Sequence, residues 1–381
     1  MDQVSRTGLT RRTRRASRLG ESVGSGKSGS EPCDELGVER RITIEDIAAI
    51  SGLSTATVSR VFALPESSTV VKPATRQKVM QAAAQVGYQP NWVARAFAAG
   101  RTNMVGLLYQ GSVPILDSIY KDMVATFSDA LRQRGHHLMF IPVVENETYW
   151  QEMLNAGAVD ACVALEMIDQ PMYDAIRNAD LPAVLLNAGD EFDLPRVMVD
   201  ARNAARTLTE RLIELGHRRL VFYVNENAHA GHYSIDHRRE GFLEALSAHG
   251  IDAAGSYFHG SDAALHAKVD ARCGMTALVC YSHFEALPLL QHCARTGVRV
   301  PTDLSVATFN DIYPVQFTVP PLTTMSIPAG AMGIGGAEML LAQLDAKDLR
   351  HGPVKPPDTL SRRLVLGSTL VERESTGPAF R

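Results

Sequence analysis

Seven short apolar runs, at residues 104–109, 138–143, 161–166, 183–187, 220–224, 276–280 and 304–309, alternate with stretches of helical apolar spacing. This alternation narrows the fold most. Short strands each separated by a helix cannot pair as hairpins, so they lie parallel in open sheets with helices packed on them. Gly135, Gly216, Gly250 and Gly297 fall where the intervening helices should stop. In open parallel sheets, ligands bind beyond the carboxyl ends of the strands. Those ends carry Tyr109-Gln110, Glu166, Asn225, Tyr281-Ser282 and Asn310-Asp311, and Arg238 opens the helical stretch HRREGFLEAL. Polar groups fixed on rigid strand ends beside aromatic faces suit a sugar-like ligand. Taken one at a time, each is also the kind of residue that caps a loop.

The 21 residues before the loop at 63, ITIEDIAAISGLSTATVSRVF (Ile42 to Phe62), have a different period. Thr43 caps a first helix with Asp46 three residues on, and Ile44, Ile47, Ala48 and Ile50 repeat at helical spacing. Ser51-Gly52-Leu53 makes a turn. Ser54 caps a second helix in which Val58, Val61 and Phe62 face inward while Thr55, Ala56, Ser59 and Arg60 face outward. This is a helix-turn-helix whose second helix begins with side chains small enough to enter a DNA major groove. Pro73 opens a third helix and Gly87 ends it. NWVARAFAAG then follows, with Asn91 as a cap, Gly100 as a stop and a stripe of Trp92, Val93, Ala96 and Phe97; it is too short to hold a helix alone.

TIEDIAAISGLSTATVSRV, TRQKVMQAAAQVGYQPN, VARAF and RTNMVGLL, in that order, closely resemble the headpiece and hinge of the LacI/GalR family of bacterial transcription regulators. The likeness continues through RLIELGHRRLVFY, RREGFLEAL, GVRVPTDLSVATFND, PPLTTMSIP and LVERESTGP, and so covers about Ile42 to Pro378. The resemblance implies an N-terminal all-α helix-turn-helix headpiece and an α/β periplasmic-binding-protein-like core of two open parallel-sheet subdomains. The expected organisation is a disordered basic arm over 1–40, the headpiece over 41–90, a hinge helix and linker over 91–103, and a two-lobed effector-binding and dimerisation domain over 104–381. The chain should cross between lobes near 188–200 and 322–328.

The same resemblance implies a sequence-specific regulator, expected to be a repressor, controlled by a small metabolite. Double-stranded operator DNA would be met by Ser54, Thr55, Ala56, Thr57, Ser59 and Arg60 of the headpiece and by Asn91, Ala94 and Phe97 of the hinge. Phe97 stands where the family has its wedge leucine, and would unstack a central base step. Arg238 falls on the arginine that typically binds effector hydroxyls, and Gln110 and Asn310 fall on pocket positions. The chain also departs from the family. Tyr281-Ser282, followed by His283-Phe284, replaces the usual Asn-Asp, Lys72 replaces a small helix cap, and ALPESSTVV lengthens the headpiece loop. With Tyr281 or Phe284 to stack on and Ser282 beside them, the expected effector is a sugar derivative, a sugar acid or sugar phosphate, or a nucleoside, and not a plain neutral hexose.

Charge agrees with a DNA-binding front. The net charge is −4, but residues 1–101 hold 15 Lys/Arg against 9 Asp/Glu, leaving 23 against 33 in the remainder. Five cysteines, Cys33, Cys162, Cys273, Cys280 and Cys293, form no Cys-x-x-Cys pair, which disfavours a disulfide framework or zinc ribbon. VGSGKSGS lacks the first glycine of a P-loop, with Glu21 in its place, and no strand precedes it. No nucleophile elbow, zinc-protease motif or dinucleotide fingerprint occurs, so neither an enzyme nor a cofactor is expected. His229, His232 and His237 lack a thiol partner and are expected to be solvated, without a metal. No run approaches a membrane span or a signal-peptide core, so a cytoplasmic homodimer is expected; the heptad helix of tetrameric relatives does not follow ERESTGP. The competing reading is a cytoplasmic metabolite sensor of the same cleft architecture that does not act on DNA.

Overall fold

The computed structural model describes residues 42–63, 69–89, 101–110, 118–166, 168–228, 231–271, 273–349 and 362–380. The expected arm, the hinge residues Asn91, Ala94 and Phe97, most of the lengthened headpiece loop, and His229 lie outside the described residues.

Three helices form the N-terminal unit: α1 (Ile44–Ser51), α2 (Thr55–Ala63) and α3 (Pro73–Gln85). The Thr43 backbone N–H and Oγ1 both donate to Asp46 Oδ2, at 2.8 and 3.0 Å, which fixes the start of α1. Gly52 takes a left-handed φ of 63° to end it, and Leu53 N–H returns to Ala48 O at 3.1 Å. Apolar spacing then closes a small core of Ile47, Ala48, Val58, Val61, Val71, Val79, Ala82 and Ala83. Arg76 Nη1 donates to Val61 O at 3.0 Å, tying α3 to the C-terminal end of α2, where carbonyls lack helical partners.

The rest of the chain builds two six-stranded sheets. The first has the order β11-β5-β4-β3-β1-β2. Its strands are β1 (Met104–Gln110), β2 (His137–Val143), β3 (Ala161–Leu165), β4 (Ala183–Leu186), β5 (Arg196–Val199) and β11 (Arg363–Leu366), with every neighbour parallel. The second has the order β12-β10-β9-β8-β6-β7. Its strands are β6 (Leu220–Asn225), β7 (Tyr257–Gly260), β8 (Ala277–Cys280), β9 (Ser305–Phe309), β10 (Thr323–Ser326) and β12 (Thr369–Val371), parallel except that β12 runs against β10. All seven strands expected from the apolar runs are present. The sequence reading did not include β5, β7, β10, β11 and β12.

Eight helices among the described residues cover these sheets: α4 (Ser118–Gln133), α5 (Tyr149–Asn155), α6 (Gln170–Asn178), α7 (Ala201–Glu214), α8 (Tyr233–Ala248), α9 (Asp262–Asp270), α10 (His283–Thr296) and α11 (Ala329–Leu349). Alternate strand residues feed opposite cores. Val105, Leu107 and Val163 meet Phe127 and Leu131 of α4 and Met332 and Leu340 of α11, while Leu108, Cys162 and Ala164 meet Trp150, Leu154, Met172 and Ile176 of α5 and α6. In the second lobe, α7 and α8 cover one face through Leu208, Leu212 and Phe242, and α9 and α10 cover the other through Leu265, Leu289 and Cys293.

The chain passes between lobes three times. β5 leads into α7, capped where Asn203 N–H donates to Asp200 Oδ1 at 3.0 Å; β10 of the second sheet leads into α11 of the first lobe; and β11 leads into β12. The first two passages match the crossings expected from the resemblance, and the third was not expected. Two helix pairs pack closely enough to require glycine. A methyl at Gly241 of α8 would overlap the Arg202 carbonyl of α7, and one at Gly333 of α11 would overlap the Met123 carbonyl of α4. Gly241→Ala should therefore lower stability by about 1–3 kcal/mol, the usual cost of overpacking, as a reduced urea midpoint. An unchanged midpoint would show that the helices separate at little cost.

Candidate functional site

Two surfaces carry chemistry. The first is the outer face of α2. Ser54, Thr55, Ala56 and Arg60 are exposed, Ser59 and Thr57 are half-buried, and Val58 and Val61 anchor the helix from behind. The Ser54 hydroxyl is already engaged: it accepts Thr57 N–H at 3.2 Å and lies 2.9 Å from Thr57 Oγ1, so these two residues start the helix. Thr55, Ala56, Ser59 and Arg60 remain presented outward on a helix held by its own core.

The second is the cleft between the lobes, at the carboxyl ends of both sheets. At its centre Arg238 is 4% exposed. Its guanidinium carbon lies 4.3 Å from the Phe309 ring centroid and 4.9 Å from that of Tyr281, a stacked arrangement that suits a delocalised cation. Nη1 donates to Tyr281 O at 2.6 Å and Nη2 to Asn310 Oδ1 at 3.3 Å, joining the ends of β8 and β9. Nε is buried without a hydrogen-bond partner. Burial lowers the pKa of this arginine, which stays charged nonetheless. Among the described residues no carboxylate forms an ion pair with it. A buried donor without a partner costs about 1–3 kcal/mol, so a ligand acceptor here would recover that cost.

Around Arg238, a chain of hydrogen bonds crosses the cleft. His232 Nδ1 accepts Ser234 N–H at 3.3 Å, which leaves the ring proton on Nε2 to donate to Asn187 O at 3.0 Å. The Ser234 hydroxyl, 2.8 Å from Nδ1, then donates to it and accepts from the Tyr281 hydroxyl at 2.9 Å. Tyr233, next in the same turn, accepts Val199 N–H at 3.1 Å and donates to Asn187 Oδ1 at 3.2 Å. The start of α8 in the second lobe is thus bonded to the ends of β4 and β5 in the first. Burial pushes the Tyr233 phenol up to about 12 and raises that of Tyr281, so both remain donors.

The other expected cleft residues have varied settings. Gln110 ends β1 and is half-buried. Asn310 has a left-handed φ of 67° and holds Arg238. Tyr281 is 7% exposed, with its ring under Arg238 and its hydroxyl on Ser234, so its face is taken by the arginine; the expectation that it offers a free stacking surface is corrected accordingly. Ser282 caps α10: its hydroxyl contacts Glu285 Oε2 at 2.5 Å and accepts Phe284 N–H at 3.2 Å. Phe284 is exposed, and buried His283 packs against it with ring centroids 4.0 Å apart and planes tilted by 38°. His232, expected to be solvated, is buried instead, because it is the ring that bridges the lobes. Asn187, Tyr233 and Ser234 were not singled out from sequence. Asp311, beside Asn310, pairs with Arg373 at 2.7 Å and so ties the C-terminal segment to the cleft floor.

A helix-turn-helix unit with an outward recognition face, joined to two lobes closing on a buried, half-satisfied arginine, defines a ligand-responsive DNA-binding protein. Residues 43–91 match the family described as bacterial regulatory proteins, lacI family, and residues 209–376 match the periplasmic binding protein-like domain. The HTH-type transcriptional regulator CelR of Thermobifida fusca is 30% identical over 356 residues, covering 88% of this chain and 98% of CelR. The HTH-type transcriptional repressor PurR of Photobacterium profundum is 27% identical over 322 residues, covering 81% of this chain and 93% of PurR. Among solved structures, a transcriptional regulator CelR–cellobiose complex superposes with a TM-score of 0.60 at 27% identity, over 88% of this chain and all of that one. The lac repressor dimer bound to operator and the anti-inducer ONPF gives 0.71 at 22% identity over 89% of this chain and all of that one, a likeness of fold. The chain belongs to the lacI family of bacterial regulatory proteins and is a DNA-binding transcriptional regulator. The family is one of DNA-binding regulators and not of enzymes.

One cleft carboxyl has a measurable signature. Glu166, after β3, is 6% exposed, and burial pushes its pKa up to about 7 from the ordinary 4.5. The folded chain therefore keeps this proton longer than the unfolded chain, and stability falls as pH rises from 4.5 to about 7. Without ligand, Glu166→Gln should match the parent near pH 4.5 and exceed it by on the order of 2 kcal/mol at pH 8 in urea unfolding. A pH-independent difference would refute the shifted carboxyl.

Proposed function

We propose that this regulator is a cytoplasmic homodimeric repressor of a near-palindromic operator, and that a small polar metabolite bound between the lobes controls its grip on DNA. The observation that carries the DNA half is the outward face of α2, on which Thr55, Ala56, Ser59 and Arg60 are free of the headpiece core. Arg60 presents donors to both major-groove acceptors of guanine, and Thr55 and Ala56 suit a thymine methyl. Ser54 and Thr57 set where this helix begins. Asn91, Ala94 and Phe97 remain assigned to the hinge contact with the minor groove. Among the described residues no helix is long and apolar enough to cross a membrane.

Arg238 and Asn310, with Gln110 on the opposite lobe, are the polar anchors of the metabolite site. Ser282 and Tyr281 shape it from behind, and Phe284 lies at its border. The CelR relative solved with cellobiose, similar over most of this chain, supports a sugar-like occupant. For the dimer, support comes from an apolar patch beyond β8 and β9: Phe284, Tyr313, Phe317 and Val319 are 61, 76, 69 and 89% exposed. Large apolar side chains left uncovered together in this way mark a protein contact surface, and a second copy places two recognition helices on successive operator half-sites.

A mobility shift on the DNA upstream of the gene tests the reading. Arg60→Ala should lose about 1–3 kcal/mol of discrimination between operator and scrambled DNA. An unchanged ratio would remove Arg60 from base reading. Sedimentation should give a dimer at micromolar concentration, and Tyr313→Ser with Phe317→Ser should yield a folded monomer. A parent chain that sediments as monomer or tetramer would contradict the assembly.

A further inference from the structure

The chain enters the first lobe through Thr102 and Asn103, and one side chain holds both. Thr102 N–H and Thr102 Oγ1 donate to Asp160 Oδ1, each at 3.0 Å, and Asn103 N–H donates to Asp160 Oδ2 at 2.6 Å. Thr102 Oγ1 in turn accepts Met104 N–H at 3.1 Å, which closes the set of bonds at the start of β1. Asn103 has a left-handed φ of 54°, a conformation that asparagine tolerates, and its carbonyl accepts His137 N–H of β2 at 2.8 Å. The end of the linker is thus pinned between β2 and the residue that precedes β3, on either side of β1.

The second lobe completes the same sheet corner without such a clasp. Met104 stands one residue before Val105, which pairs with Ala161 across β1 and β3; Arg219 stands one residue before Leu220, which pairs with Ala277 across β6 and β8. Asp160 and Thr276 therefore occupy equivalent places. Their N–H groups make the same bond, to Met104 O at 2.8 Å and to Arg219 O at 2.9 Å. In the lobe that receives the headpiece a carboxylate is added, and both of its oxygens go to the linker. Hydrogen bonds to a carboxylate are about twice as strong as neutral ones.

We infer that Asp160 is a positioning residue for operator recognition: by pinning Thr102 and Asn103 it fixes where the tether to the headpiece begins, and so fixes the separation of operator half-sites that the protein accepts. This rests on the proposed dimer with one recognition helix on each half-site. Opening the clasp frees two residues, each able to span about 3.3–3.6 Å, so each tether gains about 7 Å. Successive base pairs are about 3.4 Å apart, so the gain matches about two base pairs per protomer. A longer tether also lowers the effective concentration of the second headpiece at its half-site.

The full chain is compared with Asp160→Asn, which keeps the shape and loses the charge, and with Thr102→Val, which loses the hydroxyl of the clasp. Mobility shifts use the upstream operator, the same operator with two base pairs inserted between its half-sites, and a single half-site. The parent should prefer the native spacing by about tenfold or more. Asp160→Asn should bring this preference below about threefold, Thr102→Val should lower it less, and all three proteins should bind the single half-site equally, because α2 is untouched. Hydrogen exchange should be faster at Thr102 and Asn103 in Asp160→Asn and unchanged in the strands of both lobes. A parent indifferent to spacing, a preference as strong in Asp160→Asn as in the parent, or a weaker single half-site complex in Asp160→Asn would overturn the proposal. If Asp160→Asn loses its fold, an unchanged preference in Thr102→Val overturns it. A parent that binds no upstream DNA, or binds it as a monomer, would instead sink the reading of a dimeric operator-binding repressor, and this proposal with it.

Discussion

A single buried cation organises the cleft. Arg238 enters the interior between Phe309 and Tyr281 and joins the ends of β8 and β9 through Tyr281 O and Asn310 Oδ1. Removing a guanidinium from water is expensive unless its donors are met and its charge is answered. Two acceptors and two aromatic faces answer part of the cost, and Nε is left over. The second lobe is thus built to gain when a polar acceptor arrives. At the start of α8, His232 and Tyr233 are bonded across to the first lobe and Ser234 links His232 to Tyr281, so a ligand that touches Arg238 bears on the contact between lobes.

The DNA-binding end follows a different physical plan. Its core is a handful of residues from three short helices, none of which could hold its shape alone. The capping bonds of Thr43 with Asp46 and of Ser54 with Thr57, and the tie from Arg76 to Val61, determine where each helix begins and how α2 is aimed. Positioning by caps leaves the outer face of α2 free of structural duty.

The headpiece and the seven apolar strands were legible in the sequence because their signals are local. Caps, turn glycines and apolar period lie within a few residues of the structure they produce. The strands β5, β7, β10, β11 and β12 (RVMV, YFHG, TTMS, RLVL and TLV) have at most three apolar residues in a row, unlike the equally short β4 and β8, and β11 and β12 exist only through their neighbours. In the cleft, Arg238 and Asn310 came from family likeness and are placed together. Ser282 carried its own local signal, since Ser282-x-x-Glu285 is a capping-box pattern. Glu166 stood among the polar strand ends, but its burial comes from packing that no local pattern shows. Asn187 and Tyr233 had no local mark, and His232 was read as solvated, because what distinguishes these three is contact across the cleft.

The central claim is that occupancy at Arg238 is what the DNA-binding end senses. Fluorescence anisotropy on labelled operator tests it most directly, with the parent and Arg238→Lys titrated with whichever of a panel of sugars, sugar acids, sugar phosphates and nucleosides most stabilises the parent. Lysine keeps the charge but has no Nε–H donor and no planar face to stack. The account predicts that the compound changes operator affinity of the parent by about tenfold, a typical coupling between sites, and leaves that of Arg238→Lys unchanged. An equal change in both proteins would contradict it.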